Sequence, residues 1–225
     1  MKTAILVDGG FYRRRAQIVF GDIDASARAN ELENYCRRHL KTHGEKGNDL
    51  YRIFYYDCPP ASKRLYHPFL KKQVDLSKTD LYAWMNQFLS ELKKKRKFAI
   101  RLGKLADEQA YYTLRPEIVK KLYNGNKKFS DLTEADFCLQ IDQKGVDMKI
   151  GLDIASLAYK KQVDQIILIS GDSDFVSAAK LARREGIDFI LDPLGAPIKP
   201  DLFEHIDGLR TCAKEYTKLS SSAKR

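Results

Sequence analysis

The chain has 225 residues, 44% hydrophobic and 31% charged, with a formal net charge of +10. Such a chain buries a sizeable core, which excludes a disordered or fibrous protein. No apolar run approaches the roughly 20 residues that span a bilayer, and the N-terminal residues run into a strand pattern without a signal-peptide layout, so a soluble, cytoplasmic protein with no membrane partner is expected.

Cys36, Cys58, Cys138 and Cys212 are scattered and form no C-x-x-C pair, which fits intracellular thiols better than a zinc site or a disulfide frame. The positive charge is partly concentrated, in Arg13-Arg14-Arg15, Arg37-Arg38, Lys93 to Lys97, Lys120-Lys121 and Lys127-Lys128. A surplus of this kind points to a polyanionic partner, although each run alone reads as a solvated face.

In chain order, Thr3 to Val7 is a short apolar run of strand type that ends in Asp8-Gly9-Gly10. A loosely helical stretch follows from Phe11 to Val19, then a turn at Gly21 to Ala25 and a helix over Ala27 to His43. Leu50 to Asp57 is rich in aromatics and predicts a strand. It also ends in an aspartate, but Asp57 precedes Cys58-Pro59-Pro60, where turn chemistry accounts for it. Ser62 to Leu76 and Thr79 to Lys95 are expected as helices, the second with its cations at the C-terminal end, where they complement the dipole. Phe98 to Leu105 predicts a strand. Residues 107–143 read as an insertion on the main sheet, with a hairpin, a short helix and a strand near Phe137 to Ile141. Residues 1–213 then form one domain, and 214–225 a polar tail.

Val146, Ile150, Ile154, Leu157 and Ala158 mark the buried stripe of a helix with Asp147 in its first turn. Asp153 lies about 240° further round, so the two do not share a face. Val163 to Ile169 is a second buried strand. It ends in Ser170-Gly171 and two aspartates, Asp172 and Asp174, before a helix from Phe175 to Arg184. One of these aspartates can cap that helix; the second needs another reason. Gly186 to Leu191 is one more strand, and Asp201 is placed to cap a short helix over Leu202 to Asp207.

Alternating strands and helices imply a mostly parallel sheet covered on both faces, with the C-terminal strand ends along one edge. Asp8, Asp172 and Asp174 would share that edge, and the helix start bearing Asp147 can face it. Ionised carboxylates about 5 Å apart repel by roughly 3 kcal/mol at an effective dielectric near 20, so a proton or a cation must intervene. Oxygen ligands without His or Cys favour Mg²⁺ or Mn²⁺ over zinc. Such an ion suits phosphodiester hydrolysis, because it activates water and stabilises charge on the phosphate and the leaving oxygen. An acidic pocket also needs cations around it to hold a polyanion. Arg13, Arg14, Lys144 and Lys149 are the residues expected to contact nucleic acid, and Tyr12, Tyr111 and Tyr112 are candidates for base stacking. G-D-S-D loosely echoes haloacid-dehalogenase-like phosphatases, but their D-x-D after the first strand is replaced here by Asp8-Gly9-Gly10.

I-L-V-D-G-G, K-G-V-D-M-K-I-G-L-D-I and I-L-I-S-G-D-S-D-F-V together resemble the NYN domain family, in the LabA-like branch of the PIN-like nucleases. The resemblance spans most of residues 3–209. It implies a PIN-like three-layer α/β/α sandwich and Mg²⁺- or Mn²⁺-dependent cleavage of RNA. By position, Asp8, Asp147, Asp172 and Asp174 match the family's acidic cluster and Asp153 a further recurrent acid. Gly10 departs from the asparagine that many relatives carry. A ribonuclease acting on single-stranded or structured RNA is thus expected, with a catalytically weak RNA-binding module as the alternative. Oligomeric state is left open, a homodimer being one option.

Overall fold

In a computed structural model, which describes residues 1–41 and 47–212, neighbouring residues of one strand feed two different cores. Ile166 and Leu168 belong to one buried cluster, Ile167 and Ile169 to the other. A strand apolar at every position has no solvent face, and it requires helices on both sides of its sheet.

The elements run β1 (Lys2–Asp8), α1 (Gly9–Phe20), α2 (Ala25–Arg38), β2 (Asp49–Asp57), β3 (Arg64–His67), β4 (Lys72–Asp75), α3 (Asp80–Lys94) and β5 (Phe98–Leu102). Then come β6 (Lys104–Leu105), β7 (Tyr111–Leu114), α4 (Pro116–Tyr123), β8 (Phe137–Gln140), β9 (Gln143–Lys144) and α5 (Val146–Tyr159). The chain continues through β10 (Gln165–Ile169), α6 (Val176–Arg184), β11 (Asp188–Asp192), α7 (Pro200–Glu204) and β12 (Gly208–Leu209). Six strands form one parallel sheet in the order β12-β11-β10-β1-β2-β5. Tyr12 of α1, Leu32 of α2 and Phe88 of α3 pack on one face, while Ile150 of α5 and Ala179 of α6 pack on the other. This is the expected α/β/α sandwich.

The connections locate the site. From β1 the chain moves outward through β2 to β5, then crosses back by way of α5 to β10 on the other flank of β1. The strand order therefore reverses between β1 and β10. In open α/β sheets the crevice beyond such a reversal, at the C-terminal strand ends, is where ligands bind. Two glycines make the turns here possible. A Cβ on Gly9 would lie 2.5 Å from the Tyr55 ring and 2.6 Å from the Tyr56 carbonyl oxygen, so only glycine lets α1 start directly against β2. Gly145 precedes α5 at φ 79°, in the left-handed region.

Several expected elements change. Ser62 to Leu76 is not a helix: β3 and β4 pair antiparallel there, with Leu65 opposite Val74. Pro68 lies in the middle of that stretch, where a helix would lose a hydrogen bond and clash, and the alternating burial of Arg64 to His67 has the period of a strand. The strand expected over Phe98 to Leu105 breaks at Gly103 into β5 and β6. Helix α2 ends at Arg38, and the last part of its expected span, like the tail, lies outside the described residues. Helix α7 begins at Pro200, so Asp201 sits inside its first turn and Lys199 is the cap residue. Residues 111–140 carry a strand pair, β7 with β8, separated by α4.

Candidate active site

Strand β1 delivers Asp8 at its last residue, and the carboxylate caps α1 by accepting the Phe11 N–H on Oδ1 at 3.0 Å. Its other oxygen, Oδ2, accepts the hydroxyl of Ser170 at 3.2 Å. Ser170 is fully buried just beyond β10, and its Oγ also accepts the N–H of Asp172 at 3.3 Å. One hydroxyl thus ties Asp8 to the loop bearing the paired aspartates. Sequence reasoning missed this residue; the signal was a polar side chain at the end of an all-apolar strand.

The capping role falls on Asp172, not on Asp174. Asp172 Oδ1 accepts the Asp174 N–H at 3.1 Å, and the short 3₁₀ turn Ser173–Phe175 leads into α6. Both side chains are exposed. Asp147 occupies the first turn of α5, also exposed.

Asp8 and Asp147 each sense other acids of the set. Burial lifts the Asp8 carboxyl above the usual carboxylate range; the hydrogen bonds from Phe11 and Ser170 oppose this, Asp147 adds to it, and Arg14 pulls back. Asp147 is also raised, by desolvation first and then by the charges of Asp172 and Asp174. Because Asp147 stands at the surface, those two neighbouring charges say more about chemistry than its burial does. A divalent cation would relieve the raised proton affinity of Asp8 and Asp147.

The donor set fits a hard divalent ion, being carboxylate oxygen throughout. The side chains do not yet converge, since among the described residues no three carboxylate, imidazole or thiolate groups gather closely enough to hold one metal ion.

The other acids are engaged elsewhere. Asp57 is fully buried and accepts two hydrogen bonds from Arg13, each 2.9 Å, one from the Tyr55 hydroxyl at 2.8 Å and one from the Cys58 N–H at 2.8 Å. Asp153 accepts the Tyr56 hydroxyl at 2.7 Å and Arg101 Nε at 3.3 Å, away from Asp147. Asp192 is buried and accepts the Tyr35 hydroxyl at 2.5 Å, with His39 Nε2 at 2.8 Å.

The cations divide in the same way. Arg13 is held by Asp57, whereas Arg14 is exposed and near enough to Asp8 to act on it. Lys144 and Lys149 are exposed on either side of the α5 N-terminus. Lys199 Nζ donates to Ser173 Oγ at 3.0 Å, placing beside the aspartate loop a cation that the sequence did not single out. Of the aromatics, Tyr12 is fully buried and donates to Glu31 at 2.8 Å, so it cannot stack on a base. Tyr112 lies 4.3 Å from His67, ring to ring, while Tyr111 is exposed.

A helix-flanked parallel sheet with acidic side chains at its reversal point defines a PIN-like α/β/α domain. The chain belongs to the NYN domain family, whose model matches residues 2–197. With that membership come a nuclease-like fold and an RNA-related function. A crystal structure of a protein of unknown function from Vibrio parahaemolyticus is similar over 95% of this chain and 94% of its own, at 17% identity and a TM-score of 0.48. No curated protein matches the chain in sequence. Among the described residues no helix is long and apolar enough to cross a membrane.

Proposed function

We propose that the chain is a metal-dependent endoribonuclease of the LabA-like kind, using Mg²⁺ or Mn²⁺ held by Asp8, Asp147, Asp172 and Asp174. The observation that carries this reading is that acids from three separate elements, β1, α5 and the loop after β10, lie at the sheet edge where the strand order reverses, near enough for Asp147 to act on Asp8 and for Asp172 and Asp174 to act on Asp147. A bound ion would supply a water of lowered pKa and charge stabilisation on the phosphate. The protein's own parts divide the remaining work. Phe11 N–H and Ser170 fix the orientation of Asp8. The Asp174 N–H fixes Asp172, and the Asp174 carboxylate is left to orient the attacking water and accept its proton. Arg14, Lys144 and Lys149 hold the RNA backbone around the acids.

A second reading, an RNA-binding module with little catalysis, is favoured by the acids not being converged. Cleavage of varied RNAs in Mn²⁺ or Mg²⁺, by wild type and Asp172→Asn, separates the two. The nuclease reading expects cleavage that EDTA and the substitution both abolish. A folded wild type that cuts nothing would leave the binding module, and a variant that cuts equally well would overturn the role given to Asp172.

A further inference from the structure

A cavity of about 240 Å³ is bounded by the loop after β2, by α3 and by the segment joining β8 to β9. Pro59, Met85, Leu139 and Ile141 supply apolar walls, and the polar groups along its lining include Arg13 and Gln143. Gln143 links this cavity to the site: a Cβ built on Gly10 would lie 3.5 Å from Gln143 Oε1 and 3.6 Å from Asp8 Oδ1. The Gln143 amide therefore borders both the apolar slot and the carboxylate at the end of β1. Arg13 donates from Nε and Nη2 to Asp57 and so stands fixed in the cavity wall.

A slot with apolar walls, the Tyr82 ring and a polar edge of Gln143, Arg13, Asp57 and Thr79 suits a planar ligand with apolar faces and a hydrogen-bonding rim. A nucleobase has that shape and chemistry; an aliphatic side chain or lipid tail would leave Gln143 and Arg13 facing an apolar group, a costly mismatch. We infer that this cavity takes one unpaired nucleobase of an RNA whose backbone passes Asp8, with Gln143 reading the edge of the base. The inference rests on the ribonuclease reading for its choice of RNA and deepens it by placing base recognition at one subsite.

The test uses nucleosides, which carry no phosphate and need no metal, so it is independent of cleavage. Adenosine, cytidine, guanosine, uridine and plain ribose are titrated by NMR into the full chain and into Leu139→Trp and Gln143→Ala. At least one nucleoside is expected to bind about tenfold more tightly than ribose, the scale of a single stacked base. Leu139→Trp, which fills the slot, should erase that difference, and the exposed Gln143→Ala should weaken it or change which base is preferred. If no nucleoside binds more tightly than ribose, the inference fails. It also fails if a folded Leu139→Trp binds like wild type; should that variant not fold, unchanged affinities and base preference in Gln143→Ala overturn it. Metal-dependent cleavage without nucleoside binding would reject the subsite alone, whereas nucleoside binding without cleavage would support the subsite and reject the nuclease.

Discussion

Ser170 donates its hydroxyl to Asp8 across 3.2 Å, from the end of one parallel strand to the end of its neighbour. The same oxygen receives the Asp172 N–H, so this buried serine sets the spacing between the two limbs of the acidic site. Ser170→Ala should fold, because alanine fits within the space of serine. It leaves a carboxylate oxygen and an N–H without their partner, at a cost of about 1 to 2 kcal/mol in urea denaturation. Metal affinity should fall about 10- to 100-fold, as when other groups that orient ligands are removed. Unchanged Mn²⁺ affinity in calorimetry would show that Asp8 needs no such support.

The repulsion among the acids has a sign that can be measured. Asp147 holds its proton more tightly in the folded chain than an ordinary carboxylate does. Its contribution to stability is therefore full at pH values below the ordinary carboxylate pKa, about 4, and is lost as pH rises through its raised folded value. At neutral pH, Asp147→Asn should stabilise the metal-free protein, by no more than about 1 kcal/mol because solvent screens a surface charge. The advantage should vanish toward pH 4. Mg²⁺ or Mn²⁺ should raise the melting temperature of wild type more than that of the variant. Thermal melts across pH, with and without the ion, check both statements.

A different pH dependence arises at the end of β11. His39 is fully buried; burial pushes its pKa down, but the hydrogen bonds and charges of Asp192 and Cys212 together outweigh this and the imidazole is lifted to about 8. The stability from this pair is complete below the unfolded histidine pKa of about 6.5 and disappears as pH rises through about 8. The difference corresponds to about 2 kcal/mol. Wild type should lose stability across that window and His39→Gln should not; parallel profiles would contradict the pairing.

Arg13 and Asp57 give a prediction about structure and not catalysis. The carboxylate is fully buried and its main charge partner is that guanidinium. Removing one member of a buried pair strands the other, typically at about 3 to 5 kcal/mol. Arg13→Ala should therefore destabilise the fold strongly in denaturant titration, while Arg14→Ala, on an exposed neighbour, should leave stability nearly unchanged and weaken RNA binding. Equal, small effects on stability would remove the structural role assigned to Arg13.

The architecture was legible because A-I-L-V and I-I-L-I are apolar at every position, which only a sheet covered on both faces explains. Asp8, Asp147, Asp172 and Asp174 stood out for the same reason, as charges at strand or helix ends. What distinguishes them from Asp57 and Asp192 could not be read locally. Those two also end strands, but their partners come from far along the chain: Arg13 is 44 residues from Asp57, and Tyr35 is 157 from Asp192. The hairpin over β3 and β4 was misread because its apolar residues also fit a helical period, and Pro68 was the overlooked breaker. The aspartate that caps the turn before α6 was decided by backbone direction, which composition does not carry.

Asp147 is where the account is most exposed, because it couples to Asp8 on one side and to Asp172 and Asp174 on the other. The direct measurement is the single-turnover rate of RNA cleavage in Mn²⁺ by wild type and by Asp147→Asn, with the fold of both confirmed by circular dichroism. Wild type should cleave in an EDTA-sensitive manner and the variant should lose about 100-fold or more, the scale of removing one charge-stabilising group from an active site. Cleavage by a folded Asp147→Asn at the wild-type rate would contradict it.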